Sequence, residues 1–244
     1  MPALALYLLA VFAGGALLAP WLYDGIAALA PFFPALETAA RMPFARYVNR
    51  GLLIVALLGL PFFVRGAGVR RWSDVGLGRG AFHPRRFGVA FALGFFSLAA
   101  VCAVTLLAGG RMIKPRSPGE LAGQLLGVLA TALIVAVIEE LLFRVLVATG
   151  VASLLWMGIR RASGESRFGV ATAQWTGVIA AAVFVAVWHV GMSNDAGGAA
   201  RVVAVNLIAN LLYGWTWWRR GLEMAVLTHG TLNASLYLGL PLLH

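Results

Sequence analysis

The chain has little of what soluble and metal-binding proteins are usually built from. Its 244 residues include one cysteine and nine acidic residues, and charged residues make up only 11%. A lone cysteine, Cys102, cannot form an intramolecular disulfide or a cysteine-based metal site, so we interpret it as a small buried hydrophobic residue. The sequence has no HExxH pattern, no internal repeat, no low-complexity tract and no linker. These absences exclude a disulfide scaffold, the HExxH class of zinc sites and a repeat architecture.

Apolar residues are abundant instead. They make up 61% of the chain, and the mean hydropathy is +0.88. This composition predicts an all-α, polytopic transmembrane helical bundle, in which a span needs about 20 apolar residues. We predict about seven spans, with six to eight allowed, in a single integral membrane domain over residues 1–244. The predicted spans are 3–22, 46–64, 87–109, 122–148, 172–191, 200–218 and 222–242.

Two segments decide the span count. The first apolar run lacks a positively charged start, so we expect an uncleaved first span in preference to a secretory signal. Residues 149–159 are too short to cross a membrane alone. They either extend the fourth span, lie at the interface or form a re-entrant piece.

The net charge of +10 comes from basic residues spread over the short connections between the spans. This pattern indicates membrane topology and not a nucleic-acid surface, so we expect no nucleic-acid partner. The richest connection is 65–86, which we place on the cytoplasmic side as an interfacial segment, with the N-terminus inside. Arginine-rich usage favours a bacterial source, and we expect a multi-pass protein of the bacterial inner membrane.

Two adjacent glutamates lie inside an apolar run. Ionised carboxylates in hydrocarbon need partners, water or protonation, so Glu139 and Glu140 indicate a functional site. Arg144 lies four residues after Glu140 in the favourable acid-first order, which predicts an intrahelical ion pair. That pair leaves Glu139, about 100° around the helix, free to face a cavity.

Other predicted spans carry further polar residues. His189 closes the fifth span, and His229 and Asn233 are four residues apart in the last span, on one helical face. A lone intramembrane histidine or asparagine often only bonds a neighbouring helix, and we apply that interpretation to Asn206 and Asn210. One carboxylate, two imidazoles and a carboxamide on three helices are harder to explain by packing, because each adds a desolvation cost.

The depths of these groups test the span boundaries. If the fourth span ended at 148 and the fifth began at 172, Glu139 would lie about 14 Å and His189 about 26 Å from the same membrane face. The two side chains would then not meet. Either 149–159 continues the fourth helix, or the fifth helix begins near 180.

These residues resemble a known family. Glu139-Glu-Leu-Leu-Phe-Arg144 is similar to the EExxxR motif of the CPBP intramembrane proteases, also called the Abi or type II CAAX prenyl endopeptidase family. His189 resembles the second motif of that family, and His229-x-x-x-Asn233 resembles the last. The resemblance covers roughly 120–244, the expected catalytic core. The family usually has phenylalanine four residues before the first histidine, where this chain has Val185.

The resemblance implies an intramembrane endopeptidase acting on a membrane-associated protein or peptide substrate: a CAAX-like tail, a leader or a C-terminal sorting segment. It implies that Glu139 is the general base on a water shared with His189. His229 and Asn233 would stabilise the oxyanion, and Glu140 with Arg144 would support the site.

Alternatives remain open at this point. We expect no cofactor and a metal-free glutamate mechanism, with zinc held by two histidines and a glutamate as the alternative. A small proton-coupled transporter would also carry intramembrane Glu, Arg and His, although no repeated halves are visible. The third hypothesis is a non-catalytic immunity or scaffold protein of the same fold. The intact motif positions argue against it.

Overall fold

The structure is a computed structural model that describes residues 2–33, 36–66, 73, 84–107, 109, 118–164, 166–190 and 196–238. Within these ranges the chain is helical and contains no β-strand, as the all-α prediction requires. Most of the predicted interfacial segment 65–86 lies outside the described residues. The helices are α1 (Pro2–Leu29), α2 (Glu37–Ala40), α3 (Phe44–Gly66), α4 (Pro84–Leu107), α5 (Pro118–Glu140), a π-helical segment (Leu141–Ala148), α6 (Thr149–Ser163), α7 (Arg167–Val190), α8 (Ala196–Arg220) and α9 (Leu222–Tyr237).

The described residues form two compact units, residues 1–70 and 71–244. In the first unit α1 and α3 form an antiparallel pair. The helices approach closely where Gly15 faces Gly51, because a Cβ on either glycine would collide with the other helix. The Tyr7 hydroxyl donates to the Ala56 carbonyl and joins the same two helices near one end of the pair.

The second unit contains all the polar residues singled out in the sequence. One continuous helical rod runs from α5 through the π segment into α6, so residues 149–159 extend the fourth predicted span. Helix α7 returns antiparallel along this rod, and Gly177 lets the backbones touch, since a Cβ there would meet the Ala148 carbonyl oxygen. Helix α9 packs against α4 at Gly94, whose missing side chain leaves room for Thr231.

This hairpin removes the depth problem. Glu139 lies about 24 residues before Ser163, and His189 lies about 22 residues after Arg167, so the two are about 36 Å and about 33 Å from the turn between α6 and α7. The side chains thus reach nearly the same level. The second alternative, a fifth helix beginning near 180, is wrong, because α7 begins at Arg167.

Large apolar side chains cover the outside of these helices. Leu107, Leu126 and Phe168 are each more than four-fifths exposed, which a membrane tolerates and water does not. Within the described residues, each of the seven predicted spans overlaps a helix of at least 16 residues. Four described stretches are long and apolar enough to cross a membrane by themselves, and the count of seven stays a prediction. These stretches are Leu9–Leu29, Pro84–Leu107, Leu125–Ala162 and Arg167–Val190.

Candidate active site

The π-helical segment carries the centre of the polar cluster. Most of its residues are buried, including Arg144 with no exposed surface. The Thr149 hydroxyl donates to the Arg144 carbonyl, five residues earlier. π-Helical turns are rare in proteins and are frequently found at functional sites. This one lies directly after Glu140, so it sets the direction of the arginine relative to the glutamate.

Arg144 and Glu140 form the ion pair that their spacing predicts. Arg144 Nε donates to Glu140 Oε2 at 2.9 Å, and both side chains are fully buried. The Arg144 Nη2 group makes a second bond, at 2.8 Å, to Asn210 Oδ1 on α8. The Asn210 amide nitrogen donates to the Asn206 carbonyl, which turns the amide oxygen toward the arginine. Partners on two helices, Glu140 and Asn210, thus hold the buried guanidinium of Arg144 in place.

Glu140 also orients a histidine from α9. His229 Nδ1 lies 2.9 Å from Glu140 Oε1, across 89 residues of sequence. Because an ionised carboxylate only accepts hydrogen bonds, Nδ1 carries the proton and donates it. Nε2, the other ring nitrogen, is therefore the one that can exchange a proton or donate to a substrate. A carboxylate that fixes the tautomer and orientation of a histidine is the arrangement found behind catalytic imidazoles.

The second glutamate lies on the far side of the same imidazole. Glu139 Oε2 is 3.7 Å from His229 Nε2, and the two side chains keep 13% and 8% of their surface exposed. His229 therefore lies between two carboxylates, one fully buried and one with an open edge. The two glutamates thus face opposite nitrogens of the ring, and a cavity beside Glu139 stays a prediction.

The ring of His229 is held by stacking as well. Tyr213 on α8 lies nearly parallel to it, with centroids 4.6 Å apart and an interplanar angle of 15°. Tyr213 is three residues after Asn210, so one face of α8 supports both Arg144 and His229. The stacking fixes the plane of the imidazole ring between the two glutamates.

His189 lies at the end of α7, partly buried, and its Nδ1 is 2.9 Å from the Val185 carbonyl oxygen. Since a carbonyl only accepts, Nδ1 is the donor and Nε2 is an acceptor in the neutral ring. Its neighbour Trp188 packs edge-on against Phe143 of the π segment, which fixes the end of α7 beside the glutamates. Phe184 packs against Phe143 and Trp188, while Val185 is fully buried.

Asn233 lies on α9 one turn after His229 and is partly buried. It makes no hydrogen bond to another described residue. The structure therefore joins four residues by direct contacts: Glu139, Glu140, Arg144 and His229. His189 lies near the end of α7, and Asn233 lies one turn after His229 on α9. Among the residues described, no three His, Cys, Asp or Glu side chains are grouped so that they could hold a metal ion.

Two members of the cluster were missed in the sequence. The packing interpretation of Asn210 leaves out its hydrogen bond to Arg144. The orientation that makes it a partner of Arg144 depends on how α8 packs against the rod. Tyr213 gave no signal, because an isolated tyrosine in an apolar helix is common at membrane interfaces.

The fold and this cluster define a helical membrane protein with a buried Glu-Arg-Asn-His network. Residues 121–235 match the family model described as Type II CAAX prenyl endopeptidase Rce1-like. The matched part, a little under half of the chain, is similar to that family and contains every residue of the network. No curated protein and no solved structure matches the chain.

Proposed function

We propose that the chain is an intramembrane endopeptidase in which Glu139 activates a water for attack on a peptide bond of a membrane-associated substrate. The single observation that carries this proposal is the pair of contacts on His229: Glu140 at Nδ1 and Glu139 at Nε2. The family match of residues 121–235 supports a peptidase. We further propose a multi-pass location in the bacterial inner membrane.

Charge balance supports a defined protonation state. Glu139, Glu140 and Arg144 together carry one net negative charge when all are ionised, and an imidazolium at His229 makes the group of four neutral. A neutral imidazole would turn an Nε2 lone pair toward an acceptor-only carboxylate, which is repulsive. We therefore assign a proton to Nε2 when Glu139 is a carboxylate.

That proton gives the two groups distinct roles. Glu139 as a carboxylate takes a proton from the attacking water. His229 as an imidazolium donates from Nε2 to the oxyanion, while Glu140 balances its charge from behind. The amide of Asn233, one turn further along α9, is the second donor we assign to the oxyanion. His189, with Nε2 as an acceptor, shares the water with Glu139.

The oxyanion role of Asn233 predicts a selective loss. Asn233→Ala is expected to lower kcat by about 100-fold or more while KM changes little, because the donor is needed only as charge develops. Turnover of a farnesylated CAAX peptide by the purified protein measures both constants. Asn206→Ala is the matched control, since the Asn206 amide bonds only the Val202 carbonyl of its own helix. Equal losses in both variants would remove Asn233 from the mechanism.

A zinc site built from Glu139, His189 and His229 is the rival mechanism. It requires bound metal near one ion per chain, loss of activity with a chelator and recovery with added zinc. Our proposal expects activity of the purified protein to be unchanged by a chelator. Elemental analysis of active protein that finds stoichiometric zinc would overturn the metal-free assignment.

The function itself is tested in cells that lack the gene. Mass spectrometry of membrane and secreted peptides should find protein termini that are present in wild-type cells and missing without the gene. A proton-coupled transporter or a scaffold protein leaves the set of termini unchanged. Identical termini in both cultures would therefore reject an endopeptidase in favour of those two classes.

A further inference from the structure

A second polar feature lies at the end of the bundle where α4 begins, α8 ends and α9 begins. A cavity of about 310 Å³ opens there, and three of its five lining residues are arginines. Met224 is a buried lining residue of this cavity and lies five residues before His229 on α9. The lining residues are Arg86, Trp215, Arg219, Arg220 and Met224.

Among the residues that the structure describes, no carboxylate lines this cavity. Arg86, Arg219 and Arg220 make no ion pair with any residue in the described ranges. Glu223 is the one acidic residue within 84–90 and 215–226; it does not line the cavity and already has an interaction of its own. Three guanidinium groups that face a shared space repel one another unless an anion is present between them.

The position along the helix indicates the kind of anion. The last turns of α8 read Trp215-Thr-Trp-Trp-Arg-Arg220, and tryptophan followed by arginine is typical of the boundary between hydrocarbon and headgroups. The Arg219 guanidinium lies 5.4 Å from the centre of the Trp218 ring, which holds it at that level. Phosphate groups of lipids are concentrated at this depth, and a guanidinium binds phosphate oxygens in bidentate geometry.

We infer that this arginine cavity is a binding site for the phosphate of an anionic phospholipid headgroup. The site is separate from the Glu139–His229 cluster, and the inference does not rest on peptidase activity. Arg86 brings α4 to the same phosphate as the end of α8, so a bound headgroup fastens these helices beside the start of α9. Since α9 carries His229, an anionic lipid stabilises the folded bundle.

Native mass spectrometry of the full-length protein, stripped of lipid in neutral detergent, tests the site. Phosphatidylglycerol is expected to bind as one tight equivalent, and phosphatidylcholine more weakly. The triple variant Arg86→Gln, Arg219→Gln and Arg220→Gln should bind phosphatidylglycerol at least about tenfold more weakly, since three charge-assisted contacts are lost. The triple variant Arg160→Gln, Arg161→Gln and Arg167→Gln loses the same charge elsewhere and should bind like wild type.

Two competition experiments distinguish a lipid phosphate from other anions in the cavity. Inorganic phosphate at the concentration of the lipid should not displace it; displacement would make free phosphate the ligand and overturn the lipid assignment. A peptide with a free C-terminal carboxylate should not displace it either, and displacement would assign the cavity to substrate. If the cavity variant does not fold, Arg86→Gln alone replaces it, and wild-type affinity in a folded cavity variant contradicts the proposal.

Discussion

Replacing Glu139 by glutamine is expected to abolish peptide cleavage while the protein stays folded. Glutamine has nearly the same shape, but its amide cannot take a proton from water, and general base catalysis contributes about 100- to 10,000-fold in rate. The Glu139 side chain keeps an exposed edge, and glutamine leaves the Glu140–Arg144 pair in place, so the loss of one charge beside His229 should lower stability by at most about 2 kcal/mol. The rate of formation of gene-dependent protein termini measures activity, and thermal unfolding in detergent measures stability.

Glu37→Gln is the matched control for this prediction. Glu37 lies in the first unit, largely exposed beside Arg41, and the same change of carboxylate to amide should alter neither activity nor stability. An active Glu139→Gln protein would rule out Glu139 as the base. An inactive but unfolded protein would assign the residue a structural role instead.

Replacing Arg144 by alanine is expected to destabilise the protein strongly. The substitution removes the guanidinium from the Glu140 carboxylate, which keeps only His229 as a partner in a site without exposed surface, and it removes the partner of the Asn210 oxygen. Breaking a buried ion pair from one side costs about 3–5 kcal/mol. We expect lower yield, a lower unfolding temperature and lost activity, measured on protein purified in detergent.

The chain contains a control with the same spacing. Arg41 and Glu37 are also four residues apart, but their side chains are 83% and 59% exposed. Arg41→Ala should cost at most about 1 kcal/mol, because exposed pairs contribute little. The double variant Glu140→Leu, Arg144→Met should be more stable than Arg144→Ala, since both charges leave together, yet inactive. An Arg144→Ala protein of wild-type stability would place Arg144 in substrate binding.

Much of the fold could be predicted from the sequence, because hydropathy reports directly on helices that face lipid. Within the described residues each predicted span overlaps a helix, and the i,i+4 spacing predicted the Glu140–Arg144 pair. Both follow from local periodicity. The boundaries of the spans were harder to predict. No local pattern shows that 149–159 continues the fourth span, because that depends on how α7 packs against this part of the rod.

The remainder of the site depends on tertiary contacts. The contact between His229 and Glu140 spans 89 residues, and no local pattern states which nitrogen faces which carboxylate. The resemblance supplied the residues, but it assigned His229 only to the oxyanion. The structure adds that the ring lies between Glu139 and Glu140 and stacks on Tyr213. The catalytic roles of all four residues stay predictions: Glu139, His189, His229 and Asn233.

Incorporation of oxygen from labelled water tests the central claim most directly. Purified protein is incubated in ¹⁸O-labelled water with membranes from cells that lack the gene, and new C-termini are identified by mass spectrometry. Hydrolysis by a water activated at Glu139 predicts C-termini that carry one ¹⁸O atom with wild type and with Glu37→Gln, and none with Glu139→Gln. Labelled C-termini formed equally by Glu139→Gln, or formed by none of the three proteins, would contradict the account.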